Sequence, residues 1–212
     1  MSMTSPDKFL NVLHDDVQAA IARHFECPTD ISAREVARSV FIAIEGASWR
    51  YRLSVIDAAR TLDVLRPEEE FALSEKSYSV SSTGKISEQP RFLPLLASFR
   101  LTERIASRIS TAAAINFEAA EWSGLHRIVQ VRHAITHPKS ISDLEIDEKT
   151  TRLAVSSLEW LLAVIAESLD AVNGELREFT MQSKVFFERL KQGDPEALRL
   201  YAAIKTQLDN ES

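Results

Sequence analysis

The chain has 212 residues, 25 of them Lys or Arg and 31 Asp or Glu, for a formal net charge of -6 at pH 7. A chain this long buries about 70% of its unfolded surface on folding and needs no covalent or metal staple. With one cysteine, Cys27, neither an internal disulfide nor a Cys-based zinc site can form. Five glycines and seven prolines, roughly half the usual share, exclude turn-rich all-β folds and Gly-rich phosphate loops. No apolar run approaches the roughly 20 residues that span a bilayer. Residues 1–16 lack a basic region followed by an apolar core, so no secretory leader is expected and the expected compartment is the cytoplasm.

The apolar spacing predicts helices nearly throughout. Ser5-Pro6-Asp7 starts a helix, with proline in the first turn and an acid near its positive end, and Phe9, Leu10, Leu13, Val17 and Ile21 follow at helical spacing. Cys27-Pro28-Thr29 is a break. A long helix is predicted over 32–65, with Val36, Val40, Ile44, Leu53 and Ile56 inward and Gly46 a point of weakness or bending. Pro67 starts a short acidic helix to about residue 76. Residues 77–90, SYSVSSTGKISEQP, are Ser-rich without apolar periodicity and predict a flexible loop. Helices follow over 92–119 and 121–136, the second stopped by Pro138 because the residue before a proline is pushed out of the α region. A connector over 139–144 leads into a long helix from about 147 to 172, which Asn173-Gly174 ends or kinks. Helix resumes to about 192, and Gly193-Asp194-Pro195-Glu196 separates it from a last helix to about 208. The expected architecture is a single all-α domain over 1–212, a compact bundle of five to seven helices, with 175–212 as a helical C-terminal extension.

Charge is unevenly spread. Residues 1–84 carry nine basic and thirteen acidic side chains, 85–139 eight and four, and 140–212 eight and fourteen. The overall acidity excludes a general nucleic-acid coat, but a basic middle third can still attract an anionic partner.

That third ends in the most informative segment, residues 122–139, WSGLHRIVQVRHAITHPK. On a helix, Ile128, Val131 and Ile135 share one face, while His126, His133 and His137 share the opposite one within an arc of about 40°. Arg132 lies between the two faces, beside Leu125 and Val129. The run Arg132-His133-Ala134-Ile135-Thr136-His137 is an arginine, four residues and a histidine at a helix end. In an all-α chain it resembles the signature of the HEPN domain superfamily, as do Pro138-Lys139 and the long helix that follows. The resemblance implies a compact bundle that forms a homodimer, so that two Arg…His motifs meet in one cleft. Many members are metal-independent endoribonucleases of toxin–antitoxin, phage-defence or RNA-processing systems. Others are inactive scaffolds. RNA and a protein antitoxin or regulator are the partners the resemblance implies, with no cofactor.

Such chemistry suits the residues. Cleaving RNA without metal needs a base for the 2′-hydroxyl proton, an acid for the leaving 5′-oxygen and a cation on the crowded phosphorane. Histidine titrates near neutrality and serves as either base or acid. Arginine stays charged and offers a planar fork to phosphate oxygens. Arg132 is thus the candidate phosphate stabiliser, His137 the acid/base, and His133 a second titrating or positioning group, with 2′,3′-cyclic phosphate products. A helix ending near Thr136 would free His137 to swing towards Arg132, which a straight helix holds about 140° away. The same residues also allow a structural role: Arg132 covering Leu125 and Val129 or pairing with a carboxylate, and His137 capping the helix end. His126, His133 and His137 also have spacing usable by a metal, but no His-Glu-x-x-His motif is present.

Arg100, Arg104 and Arg108 recur every fourth residue on one helix face. They form either a phosphate-tracking ridge with Arg127 and Lys139 or partners for acidic helices such as Glu68-Glu69-Glu70. Glu45 sits in the apolar stretch SVFIAIEGASW, where a carboxylate is costly to bury unpaired. It either faces solvent or meets an arginine: Arg132, which it would orient, or an intrahelical partner such as Arg38 or Arg52. Trp49, Trp122 and Trp160 are expected in core or dimer packing. Nucleophile elbows, Walker loops and dinucleotide fingerprints are absent. An endoribonuclease and a non-catalytic helical interaction module are the two functional expectations.

Overall fold

A computed structural model of the protein describes residues 6–211, with side chains from Lys8 to Thr206. Residues 1–5, including Ser5 of the expected helix start and the opening of the segment read for a leader, and residue 212 lie outside the described residues.

Among the described residues, seven α-helices and one hairpin follow in order: α1 (Pro6–Glu26), α2 (Asp30–Thr61), α3 (Pro67–Leu73), β1 (Lys76–Val80), β2 (Ile86–Pro90), α4 (Leu95–Ile109), α5 (Ala120–Thr136), α6 (Glu148–Lys191) and α7 (Pro195–Glu211). The protein is an all-α bundle. No described helix is long and apolar enough to cross a membrane.

The second helix organises the first unit, which runs up to Val172. Thr29 and Ser32 close a reciprocal capping box at its start, satisfying amides that have no partner within the helix. Val36, Val40, Ile44, Tyr51 and Val55 are fully buried along it. It packs against α1, α4 and α5. Gly46 neither stops nor breaks it. A Cβ there would stand 2.3 Å from Leu13 Cδ1 and 3.2 Å from Phe9 Cζ, so the glycine is where α1 crosses closely. The connection to α6 is polar. The Tyr51 hydroxyl and Ser168 Oγ share a buried hydrogen bond of 2.8 Å, and burial pushes the phenol up to about 12 against the opposing pull of that bond.

Two sequence expectations are corrected here. Residues 77–90 form an antiparallel hairpin pairing Ser77 with Gln89, Tyr78 with Glu88 and Ser79 with Ser87. Nearly every residue of it is exposed, so it carries no apolar period. Polar cross-strand pairs hold it instead, with Lys76 and Glu88 at 3.0 Å and the Ser79 and Ser87 hydroxyls at 2.7 Å, while Tyr78 stacks on Phe71. Gly84, at φ +76°, turns the chain in the left-handed region. The helix expected over 92–119 ends at Ile109. Beyond it, Glu103 Oε1 accepts from Ser107 Oγ at 2.5 Å and from the Ile115 amide at 3.3 Å, so a side-chain acceptor holds a non-helical return to α5.

The second unit runs from Asn173. Gly174 does not interrupt α6. Gly193, at φ +74°, ends it. Asp194 caps α7 through the Glu196 and Ala197 amides and bonds Arg189.

Replacing Tyr51 with Phe leaves Ser168, 1% exposed, without a partner and is expected to cost about 1–3 kcal/mol of unfolding free energy in urea. Adding Ser168→Ala should cost less than the two single changes summed, because both remove one bond.

Candidate functional site

Ile128 and Ile135 turn α5 inward, and Val131 packs with Ala33, Ala37 and Ile146. The helix is thereby fixed against α2, which leaves Arg132 half-buried at the seam and His133 and His137 exposed. The Arg132 guanidinium stands 4.9 Å over the Phe41 ring. Its Nη2 lies 3.7 Å from Glu45 Oε1, with side-chain exposures of 38% and 47%. Burial pushes the Glu45 carboxyl above its ordinary range, and the charge of Arg132 opposes that rise. Arg52, one of the two other arginines expected near Glu45, bonds Glu75 at 2.9 Å.

Pro138 ends α5 as expected. The Thr136 hydroxyl donates to the Arg132 carbonyl at 2.7 Å. His137 takes φ -128° and ψ 59°, outside the helix, and its amide donates to the His133 carbonyl. The His133 and His137 rings lie 5.2 Å apart. Among the described residues, no hydrogen bond joins Arg132 to His137. The site thus holds two pairs at one helix end: Arg132 with Glu45, and His133 with His137. His126 belongs to neither, because its ring meets the edge of Trp122 at 5.1 Å. Among the described residues, no three or more His, Cys, Asp or Glu side chains are gathered for a metal ion.

The arginine ridge is dispersed. Arg108 bonds Glu69 at 2.5 Å. Arg100 lies over the rings of Phe117 and Trp122, 4.5 and 5.0 Å from their centres. Arg104 is exposed. Arg108 thus takes the second of the two roles expected for it, ion-pair partner of Glu69 in α3. Its own Nε is buried without an acceptor. Arg127 lines a different cleft, about 310 Å³, with Lys149 and Arg152 of α6. Its charge helps hold the Asp147 carboxyl low, after the larger contributions of the two Thr150 hydrogen bonds. Lys139 is exposed on the connector, where its amide donates to Asp143. Of the tryptophans, Trp122 is core, Trp160 sits beside it with ring centres 6.3 Å apart, and Trp49 is 44% exposed.

Phe41, Lys149 and Arg152 were not singled out by the sequence. Phe41 had a signal, since it stands four residues before Glu45 on the same side of α2. Lys149 and Arg152 had none, because they lie in the acidic last third and meet Arg127 only through packing.

No family model, no curated protein and no solved structure matches the chain.

Burial alone would raise the Glu69 carboxyl. The Arg108 hydrogen bond, the Arg66 amide and the two arginine charges outweigh it, and the carboxyl is held below its usual range. Its stabilisation is present above the unfolded carboxyl's pKa, about 4.3, and lost as pH falls through the lower folded value. Glu69→Gln should cost about 1–3 kcal/mol at pH 7. Urea titrations between pH 7 and 3 should show a shallower acid loss than in wild type.

Proposed function

We propose that the protein is a HEPN-like, metal-independent endoribonuclease that works as a homodimer, as a toxin or phage-defence effector held in check by a protein antitoxin or regulator. The observation that carries this reading is the end of α5. There an arginine is held on an aromatic ring beside a carboxylate while its outer face stays open, and two imidazoles stand together at the helix terminus. Arg132 would take the phosphate oxygens. Its pair with Glu45 is exposed and longer than a hydrogen bond, worth at most about 1 kcal/mol, so it orients the guanidinium without using up its charge. His137 would move the 2′-hydroxyl and 5′-oxygen protons, with His133 beside it. One subunit supplies one arginine and two exposed imidazoles, and a two-fold axis through α5 would bring a second set to the same phosphate. The 2′-oxygen attacks the adjacent phosphorus as the 5′-oxygen leaves, giving 2′,3′-cyclic phosphate ends. Arg104, Arg127 and Lys139 remain exposed and would guide the RNA backbone.

The second reading, a non-catalytic interaction module, is favoured by one observation. The second unit exposes Phe179, Met181, Val185, Phe187 and Tyr201, a large apolar area for a surface unit.

The test is cleavage of end-labelled RNA in excess EDTA by wild type, Arg132→Ala and His137→Ala, with mass measured by light scattering. Wild type should form a dimer and leave cyclic-phosphate ends. His137→Ala should lose about 10²–10⁴-fold, and Arg132→Ala should fall comparably, both with wild-type circular dichroism. Equal cutting by all three would remove these residues from the mechanism. No cutting by a well-folded dimer would favour the interaction module.

A further inference from the structure

A pocket of about 420 Å³ opens beside the Arg132 site, between α1, α2 and the segment entering α4. Its walls include the rings of Phe9, Trp49 and Phe92, and its polar groups come from Glu45, Ser48, Arg52, Glu75 and Ser98. Glu45, Ser48, Trp49 and Arg52 stand at i, i+3, i+4 and i+7 on one face of α2. Three features mark this as more than an apolar groove. The Ser48 hydroxyl, in a residue 7% exposed, has no hydrogen-bond partner among the described residues, which is costly unless something satisfies it. Arg52 is nearly buried and fixed by Glu75, with its guanidinium stacked 4.4 Å over Trp49. Trp49 nonetheless stays 44% exposed and Phe92 91% exposed, so ring faces stand open at the rim.

Charge balance selects the ligand. Two carboxylates, Glu45 and Glu75, are matched by two guanidiniums, Arg132 and Arg52. An organic cation would have to compete with Arg132 for Glu45, and an anion would meet that same carboxylate. A neutral planar ring bearing both donors and acceptors at its edge meets neither penalty. It would stack on the tryptophan and bond the acceptor and hydroxyl at the wall. Glu45 also lies 3.7 Å from the arginine assigned to the phosphate, so the pocket opens next to the reacting strand.

We propose that this pocket is a nucleobase subsite. One base of single-stranded RNA, flanking the cleaved phosphate, stacks on Trp49 with its edge towards Glu45 and Ser48. The assignment rests on the RNA-cleaving reading of Arg132 and His137. Stacking on aromatic side chains and edge hydrogen bonding are the general means of reading unpaired bases. Guanine is the preferred base, because its N1–H and N2–H donors lie side by side and match a carboxylate.

The experiment uses the full chain carrying His137→Ala, so that RNA stays whole. Binding of labelled single-stranded oligonucleotides is read by anisotropy, and binding of the four free nucleosides by ligand-observed NMR. Adding Trp49→Ala should weaken a guanine-containing oligonucleotide at least tenfold and abolish the guanosine signal, whereas Trp49→Phe should keep most of both. Glu45→Gln should level the ranking of guanosine over the other nucleosides. Oligonucleotide and guanosine binding unchanged by Trp49→Ala would overturn the subsite, even if otherwise wild-type protein cuts RNA. Guanosine binding lost in Trp49→Ala would support the subsite even if otherwise wild-type protein cuts nothing, and would leave the nuclease reading as the one that failed. A dimer that dissociates on Trp49→Ala, with no nucleoside bound by the parent, would give the groove to a protein partner and overturn the proposal.

Discussion

The burial of α2 is the constraint on which the rest of the first unit depends. A helix that loses water on several sides must meet a neighbour on each. Its partners are α1 across Gly46, Phe99 of α4 against Tyr51, the C-terminal half of α5, where Ile135 meets Ala33 and Ala37, and Ser168 of α6 through a polar link. Tyr51 concentrates this role. Its ring fills core volume, and its hydroxyl is tolerable there only because a serine one hundred and seventeen residues away accepts or donates a hydrogen bond to it. Each neighbour's position follows from α2, and so does the placement of every polar side chain along the seam.

The same helix builds the candidate site. Phe41, Glu45, Ser48, Trp49 and Arg52 run along one side of α2, so an arginine arriving from α5 meets a ring and a carboxylate already aligned. Pro138 supplies the other half by stopping α5 and giving His137 a backbone no helical residue has. The polar groups at this seam are half-exposed. Their mutual attraction is weakened by solvent, which keeps them available to a ligand. The contrast is Arg108 with Glu69, where a mostly buried carboxylate takes up the arginine.

Segment charge proved a poor guide to surface charge. The basic middle third divides among a bond to an acidic helix, a cap on two aromatic rings and a cleft shared with lysine and arginine of the acidic last third. Charges add in space, and a bundle brings together side chains far apart in sequence.

What the sequence determined by itself is what local physics governs. Apolar spacing near 3.6 residues, with proline and glycine at the breaks, located the helices, the stop after Thr136 and the turn at Gly193, because these depend on backbone sterics within a few residues. It also placed Arg132, His133 and His137 on one short segment at a helix end. It missed the hairpin over 77–90, whose cross-strand polar pairs bury nothing and leave no period, and it overran α4, whose end is held by Glu103 accepting from residues four and twelve places along the chain, a pairing that no sequence window reads. Only the tertiary structure decided which acid Arg132 faces, which arginines stay open and where an unpaired hydroxyl lines a pocket. Each of those depends on which residues of separate helices pack within a few ångströms, and that is set by the burial of α2 as a whole.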